Sequence, residues 1–259
     1  IAAVTRQDVL GLLQPHWLKI PETMVRLRGR MSRIFDYAEA QGYIEANPMR
    51  HKQFDAALPS LPRSKRVTHH RSLPYQDVPA FMAGLQTHIG VAARCLELTI
   101  LCAVRTTEAR LARWQEFDLD KALWIIPGER AKSGRPHRVP LSDRAVTVLK
   151  QVQGMHKDFV FVAQRGKPLS ENGMLKVLER MGRDDIVVHG FRSSFRMWAA
   201  ETNSAPREVA EMALAHVLRD ATEAAYQRSD LFARRRAMMQ DWANFLAGEN
   251  EAAQLRVIA

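Results

Sequence analysis

Between Leu58 and Pro74 the chain loses the ability to form a regular element. The stretch carries Pro59, Pro62 and Pro74 among Arg63, Lys65, Arg66, His69, His70 and Arg71, with no apolar period. Proline removes a backbone donor and clashes with the turn before it, and a run without an apolar face has nothing to bury. The segments on either side must therefore build separate cores. A length of 259 residues with 46% hydrophobic content supports one good core and a second, smaller one. The sequence predicts a helical domain over 1–58, a basic linker over 59–74 and a larger domain over 75–259.

The first domain reads as helical. Thr5 is placed to cap a short helix, and Pro21 to Gln41 carries Met24, Val25, Leu27, Met31, Ile34, Phe35 and Ala38 at helical spacing. Gly42 and the Asn47-Pro48 pair are expected to end the unit. After the linker, helices are expected from Leu73-Pro74-Tyr75 onward, over Val91 to Ala103 and over Thr106 to Arg113. Trp114 to Phe117, Leu123 to Ile126, His137 to Pro140 and Phe159 to Val162 are short strand candidates. Lys132 sits on the turn between the second and third of these. Ser142 to Gln153, Ser170 to Met181 and His189 to Thr202 read as helices, with Ser142 and Ser170 as N-caps. Further helices begin near Ser204-Ala205-Pro206, Ala221 and Leu231. The expected fold class is mainly α with a small antiparallel β-sheet.

The 38 Lys+Arg against 28 Asp+Glu leave a formal charge of +10, which favours a polyanionic partner through counterion release and steering. Basicity alone does not identify nucleic acid. Cys95 and Cys102, seven residues apart on an apolar helix, read as reduced core residues, and no Cys-x-x-Cys or His-rich cluster suggests a metal site. Arg94 and Glu97 interrupt the most apolar stretch well short of the roughly 18 residues a membrane span needs. With no signal peptide in view, the cytoplasm is the expected compartment. The opening Ile1, followed at once by an apolar pattern, suggests a piece of a longer protein with a further N-terminal domain.

The residues that carry chemistry are Arg105, Lys132, His189, Arg192, His216 and Tyr226. A tyrosine hydroxyl ionises near pH ~10 and is a poor nucleophile at neutral pH, so it attacks phosphate only with cationic and hydrogen-bonding neighbours. Arginine suits that task because its planar fork stays charged and can hold two phosphate oxygens. His189 and Arg192, three apart near a helix start, can face one anion, or can be a capping histidine and a surface arginine. Arg105 can bind phosphate or simply pair with Glu108. His216 and Tyr226 each have a plain packing alternative on their helices. Arg63, Lys65, Arg66 and Arg71 of the linker, and Arg135 and His137 of the hairpin, are candidate DNA contacts; His137 fits a packing role in the hairpin equally well.

Taken together, the six fall in the order and spacing of the catalytic set of tyrosine recombinases, also called phage integrases. Trp114-Gln115-Glu116-Phe117-Asp118-Leu119-Asp120, Arg138-Val139-Pro140-Leu141-Ser142 and Leu214-Ala215-His216-Val217 resemble the integrases of satellite phages and genomic islands. The resemblance spans about residues 92 to 246, while residues 1 to 60 resemble the family's core-binding domain loosely. It implies a catalytic domain like that of tyrosine recombinases and type IB topoisomerases. It also implies DNA cleavage through a 3′-phosphotyrosine at Tyr226, with Glu108 in support and without metal, ATP or other cofactor. The implied partners are double-stranded DNA at attachment sites and three further protomers in a synaptic tetramer. A host bending protein and an excision factor are further candidates. A monomeric type IB topoisomerase and a non-catalytic DNA-binding regulator are the rival readings. The helix from Leu231 to Leu246 is open to two placements, on a neighbouring protomer or on its own domain.

Overall fold

The computed structural model describes residues 1–50, 52–61, 71–163, 166–202, 205–216 and 230–249. It divides into two compact units, Ile1–His69 and His70–Ala259. Tyr226 and the linker residues Arg63, Lys65 and Arg66 lie outside the described residues, as do His69, His70 and the helix expected near Ala221.

In the first unit, α1 (Arg6–Trp17) starts at Thr5, whose backbone N–H donates to Asp8 Oδ2 at 2.8 Å while the Asp8 N–H donates to Thr5 Oγ1 at 3.3 Å. This reciprocal box satisfies donors that a helix start leaves open. α2 (Pro21–Ala40) has its proline at the one helical position where a missing N–H does no harm. Val9, Leu13 and Trp17 pack with Met24 and Phe35. Val25 and Ile34, expected on the apolar face, are instead exposed, because the core occupies only a narrow stripe of the helix. The chain past Asn47-Pro48 also continues to fold. A short α3 (Lys52–Ala56) follows, Phe54, Leu58 and Leu61 complete the core, and the Trp17 indole N–H donates to the Pro59 carbonyl at 2.8 Å. Asn47 makes this turn possible: its side-chain amide donates to Ser32 O and Asp36 Oδ1, and its Oδ1 accepts from the Met49 N–H.

The second unit is built around α5 (Val91–Leu101), whose Cys95, Leu96, Leu98, Ile100 and Leu101 are all buried. α4 (Val78–Thr87) precedes it and α6 (Thr106–Arg110) follows. The sheet has three antiparallel strands in the order β1 (Phe117–Asp118), β2 (Leu123–Ile126) and β3 (His137–Pro140), with Trp124 opposite Val139 and Ile126 opposite His137. α7 (Asp143–Val152) is capped by Ser142 Oγ, which accepts from the Ala145 N–H. α8 (Leu175–Arg180), α9 (Gly190–Glu201), α10 (Arg207–Ala213) and α11 (Phe232–Leu246) complete the described elements. Both cysteines are free and buried, and burial pushes the Cys102 thiol up to about 12.

Several local expectations change. Trp114–Glu116 is a 3₁₀ turn and only Phe117–Asp118 is strand, since the Trp114 N–H is drawn to Asp158 O at 2.9 Å. Phe159 and Val162 make isolated bridges, to Arg113 and Pro168, with no ladder to extend them. Ser170 does not cap a helix. Its carbonyl accepts from the Gly173 N–H at 3.0 Å in a turn, and α8 starts later, after Met174. α11 packs on its own unit: Met238, Met239, Trp242 and Leu246 all enter the core that holds α5.

Residues 71–73 lie against the start of α9. The Val187 N–H donates to Arg71 O at 3.1 Å, Ser194 Oγ donates to Leu73 O, and Leu73 is buried. A Cβ on Gly190 would stand 2.3 Å from Arg71 O. We expect Gly190→Ala to destabilise the second unit by about 1–3 kcal/mol, because a backbone oxygen cannot swing aside as a side chain can. Urea unfolding of the purified variant measures this, and an unchanged midpoint would show that the strap is free to move.

Candidate active site

α5 and α10 end alike. α5 stops at Leu101 and Ala103 follows at φ +49°; α10 stops at Ala213 and Ala215 follows at φ +49°. A left-handed L-residue costs about 1 kcal/mol, and alanine offers the smallest Cβ environment short of glycine. These turns point carbonyl groups into one shared space. Arg192, 6% exposed on the first turn of α9, donates from Nη1 to Ala103 O and from Nη2 to Leu214 O at 2.7 Å. Arg105, at the start of α6, donates from Nη2 to Ala215 O at 3.3 Å and from Nη1 to Glu108 Oε1 at 2.9 Å. The other carboxylate oxygen of Glu108 accepts the Arg105 backbone N–H at 2.8 Å, so one buried acid fixes both ends of the residue.

His216 joins the pair. Its Nε2 lies 3.4 Å from Arg192 Nη2, and its Nδ1 lies 2.6 Å from Glu211 Oε2. Burial pushes the Glu211 carboxyl up, but hydrogen bonds from His216 and Arg196 outweigh it and hold the group below the usual range. An ionised Glu211 places a proton on Nδ1, which leaves Nε2 turned toward the arginines. Burial, followed by the neighbouring charge of Arg105, lowers Arg192 to about 10, against the opposing effect of Glu108; it remains a cation at neutral pH. Two arginines held by backbone oxygens and a histidine held by Glu211 therefore converge, an arrangement able to stabilise a phosphate gaining negative charge.

His189 is exposed at the N-cap of α9, one turn from Arg192. Lys132 is exposed on the loop between β2 and β3, beside the buried Ala131. That loop closes tightly, since a Cβ on Gly128 would meet Gly134 O at 2.7 Å. Its root is tied to the site by Arg130, which donates to Glu116 Oε2 at 2.7 Å and to Glu108 O at 3.2 Å. Arg71 and Arg135 are exposed, whereas His137 is half-buried. Burial, and after it the charge of Arg235, push the His137 imidazole down to about 4, with Glu108 acting in the opposite direction. Sequence reasoning passed over Glu211 and the anchoring part played by Arg130. An acid on the helix leading into His216 was the available sign for the first; the second carried none.

Residues 71–231 match the phage integrase family and residues 1–53 the phage integrase central domain. The chain is 35% identical over 249 residues to the prophage integrase IntZ of Escherichia coli K12, covering 94% of this chain and 60% of that protein. It is 34% identical to the integrase of Enterobacteria phage P4, covering 85% of this chain and 54% of the relative. The chain thus spans somewhat more than half the length of these relatives. Among solved structures, a lambda integrase dimer bound to a COC′ core site superposes with a TM-score of 0.60 at 18% identity, covering 89% of this chain and 81% of that one. A lambda integrase tetramer bound to a Holliday junction gives 0.61 at 16% identity, covering 85% and 66%. At such identity these two likenesses establish shared fold.

Proposed function

The chain belongs to the phage integrase family, and from that premise we propose that it is a site-specific DNA recombinase that cuts and rejoins DNA through Tyr226. The observation that carries the proposal is the convergence of Arg105, Arg192 and His216 on one space, with both arginines held by backbone carbonyls. In this reading the Tyr226 hydroxyl oxygen attacks the scissile phosphorus and its proton passes to His189. The bond from phosphorus to the 5′ oxygen breaks, and Lys132 supplies the proton that makes the leaving group a 5′ hydroxyl. Arg105 and Arg192 neutralise the equatorial oxygens of the pentavalent state, while His216, carrying a proton on each ring nitrogen in this step, donates from Nε2 to one of them. Glu108 keeps Arg105 oriented. The phosphotyrosine conserves the energy of the broken bond, so a 5′ hydroxyl from another duplex can reverse the step without ATP.

The same reading makes double-stranded attachment-site DNA the substrate, contacted by Arg63, Lys65, Arg66 and Arg71 of the linker and by Arg135 and His137 of the hairpin. It places four protomers around a crossover, with a host bending protein and an excision factor as accessory partners. Among the described residues no helix is long and apolar enough to cross a membrane, and the proposed place of action is on the nucleoid in the cytoplasm.

The test is a covalent trap. The chain is mixed with nicked duplexes carrying the element's junction sequence, denatured in detergent, and any adduct is mapped by peptide mass spectrometry. An adduct on Tyr226 that disappears in Tyr226→Phe is the expected result. Binding without any adduct would favour a DNA-binding regulator, and relaxation of supercoils without intermolecular joining would favour a topoisomerase.

A further inference from the structure

In the proposed reaction Lys132 must stand beside the leaving 5′ oxygen to give it a proton, and a lysine on a free loop would seldom be there. The loop between β2 and β3 is not free where it starts. The Arg130 N–H donates to Pro127 O at 3.0 Å, and the Ala131 N–H is shared between Pro127 O at 3.1 Å and Gly128 O at 3.2 Å. The Gly134 N–H then donates to Ala131 O at 2.9 Å, and Gly134 turns the chain with φ +70°. Lys132 thus lies inside a closed turn, directly after the buried Ala131.

The Arg130 side chain fastens this turn to the rest of the unit. Its Nη2 donates to Glu116 Oε2 at 2.7 Å and to Glu108 O at 3.2 Å. Glu116 ends the 3₁₀ turn ahead of β1 and its side chain is only 4% exposed. Glu116 Oε2 also accepts, at 2.9 Å, the indole N–H of the fully buried Trp124 on β2, the strand that leads into the loop. Among the described residues, Arg130 Nε and Nη1 are buried without a hydrogen-bond partner, so the hold passes through Nη2 alone. Glu108 is the acid whose carboxylate fixes both ends of Arg105. Its carbonyl therefore ties the Lys132 turn to the residue that orients a phosphate arginine.

We infer that Glu116 and Arg130 are positioning residues for Lys132, setting it at a fixed place relative to Arg105 before DNA arrives. The catalytic part of this inference rests on the recombinase reading; the held turn does not. Sulphur in place of the bridging 5′ oxygen separates a misplaced acid from general damage. The Tyr226 oxygen still forms its bond to phosphorus, while the P–S bond breaks and its electrons leave as a thiolate. That group needs no proton, because a thiol ionises near pH ~8.5, far below an alcohol. A defect in protonation then disappears, whereas a defect in phosphate binding or in the nucleophile persists.

In the wild-type protein without DNA, hydrogen exchange at the Ala131 amide is expected to be at least about a hundred-fold slower than in a free chain, and in Arg130→Met at least about ten-fold faster than in wild type. Arg130→Met removes the tie, and Glu116→Gln keeps an acceptor without the charge. Each should slow single-turnover cleavage of the nicked duplex by about ten- to a hundred-fold. On the sulphur-bridged duplex both variants, and Lys132→Ala with them, are expected within about three-fold of the wild-type rate. An unprotected Ala131 amide in the wild type overturns the inference without any variant. Arg130→Met cleaving the ordinary duplex at the wild-type rate overturns it, as does equal slowing on the two duplexes, which marks structural damage. A Lys132→Ala protein that sulphur does not rescue removes the acid itself, and the inference with it. If the wild-type chain makes no Tyr226 adduct on either duplex, the recombinase reading fails, while exchange at Ala131 still decides whether Arg130 holds the turn.

Discussion

Arg192→Ala is expected to slow Tyr226 adduct formation on a nicked duplex by at least about 10²–10³-fold, the usual cost of losing one preorganised donor at a developing charge. Arg192 does two jobs at once. In the proposed reaction its guanidinium meets the phosphate, and in the structure it bridges Ala103 O to Leu214 O, joining the ends of two helices that are far apart in sequence. Removing it leaves two buried carbonyls without that partner, at about 1–3 kcal/mol for an unsatisfied group, so melting should fall along with rate. Arg192→Lys separates the two effects poorly. A single ammonium on a flexible stem cannot span both carbonyls and still meet a phosphate oxygen in a plane. Single-turnover rates together with thermal melting of both variants provide the check. A variant that melts lower but cleaves normally would remove Arg192 from the reaction and leave it a purely structural strut.

The second large effect concerns stability. Trp242→Ala should cost about 3–5 kcal/mol, the range for truncating a large buried aromatic. Trp242 is fully buried on α11, and its indole N–H donates to Ile100 O at 3.0 Å. Its ring lies 5.5 Å from Phe195, 5.0 Å from Trp198 and 5.7 Å from Phe245. Trp242→Phe should cost markedly less, because Ile100 O keeps the Ala103 N–H as a partner and most of the aromatic contact survives. Denaturant unfolding followed by fluorescence measures both variants. Similar small losses would mean that α11 is weakly docked and could be exchanged, contrary to its packing here.

What could be read ahead of the structure was the set of side chains whose chemistry is carried by their own identity and spacing. Arg105 and Glu108, three apart at a helix start, form the expected pair. His189 and Arg192 fall one turn apart as their spacing requires. The backbone oxygens that hold the arginines left no trace, since a carbonyl's direction is set by φ and ψ and not by residue type. Ala103 and Ala215 read as ordinary helical alanines, whereas glycine at either place would have signalled a left-handed turn. The apolar pattern of α11 was equally legible, yet a stripe does not say which core it fills. Phe159 to Val162 has strand-forming residues but, among the described residues, only single bridges to Arg113 and Pro168, a property of the whole fold. The Glu211–His216 contact closes only because the turn after α10 brings the chain back on itself.

The close approach of Arg71 to Gly190 has a mechanical side. The first described residues of the second unit, Arg71 to Leu73, are hydrogen-bonded to Val187 and Ser194 and pass close to Gly190. These flank His189 and Arg192. Tension arriving along the chain would therefore act on the turn that carries two of the proposed catalytic residues. This chain is anchored beside the proposed phosphate site.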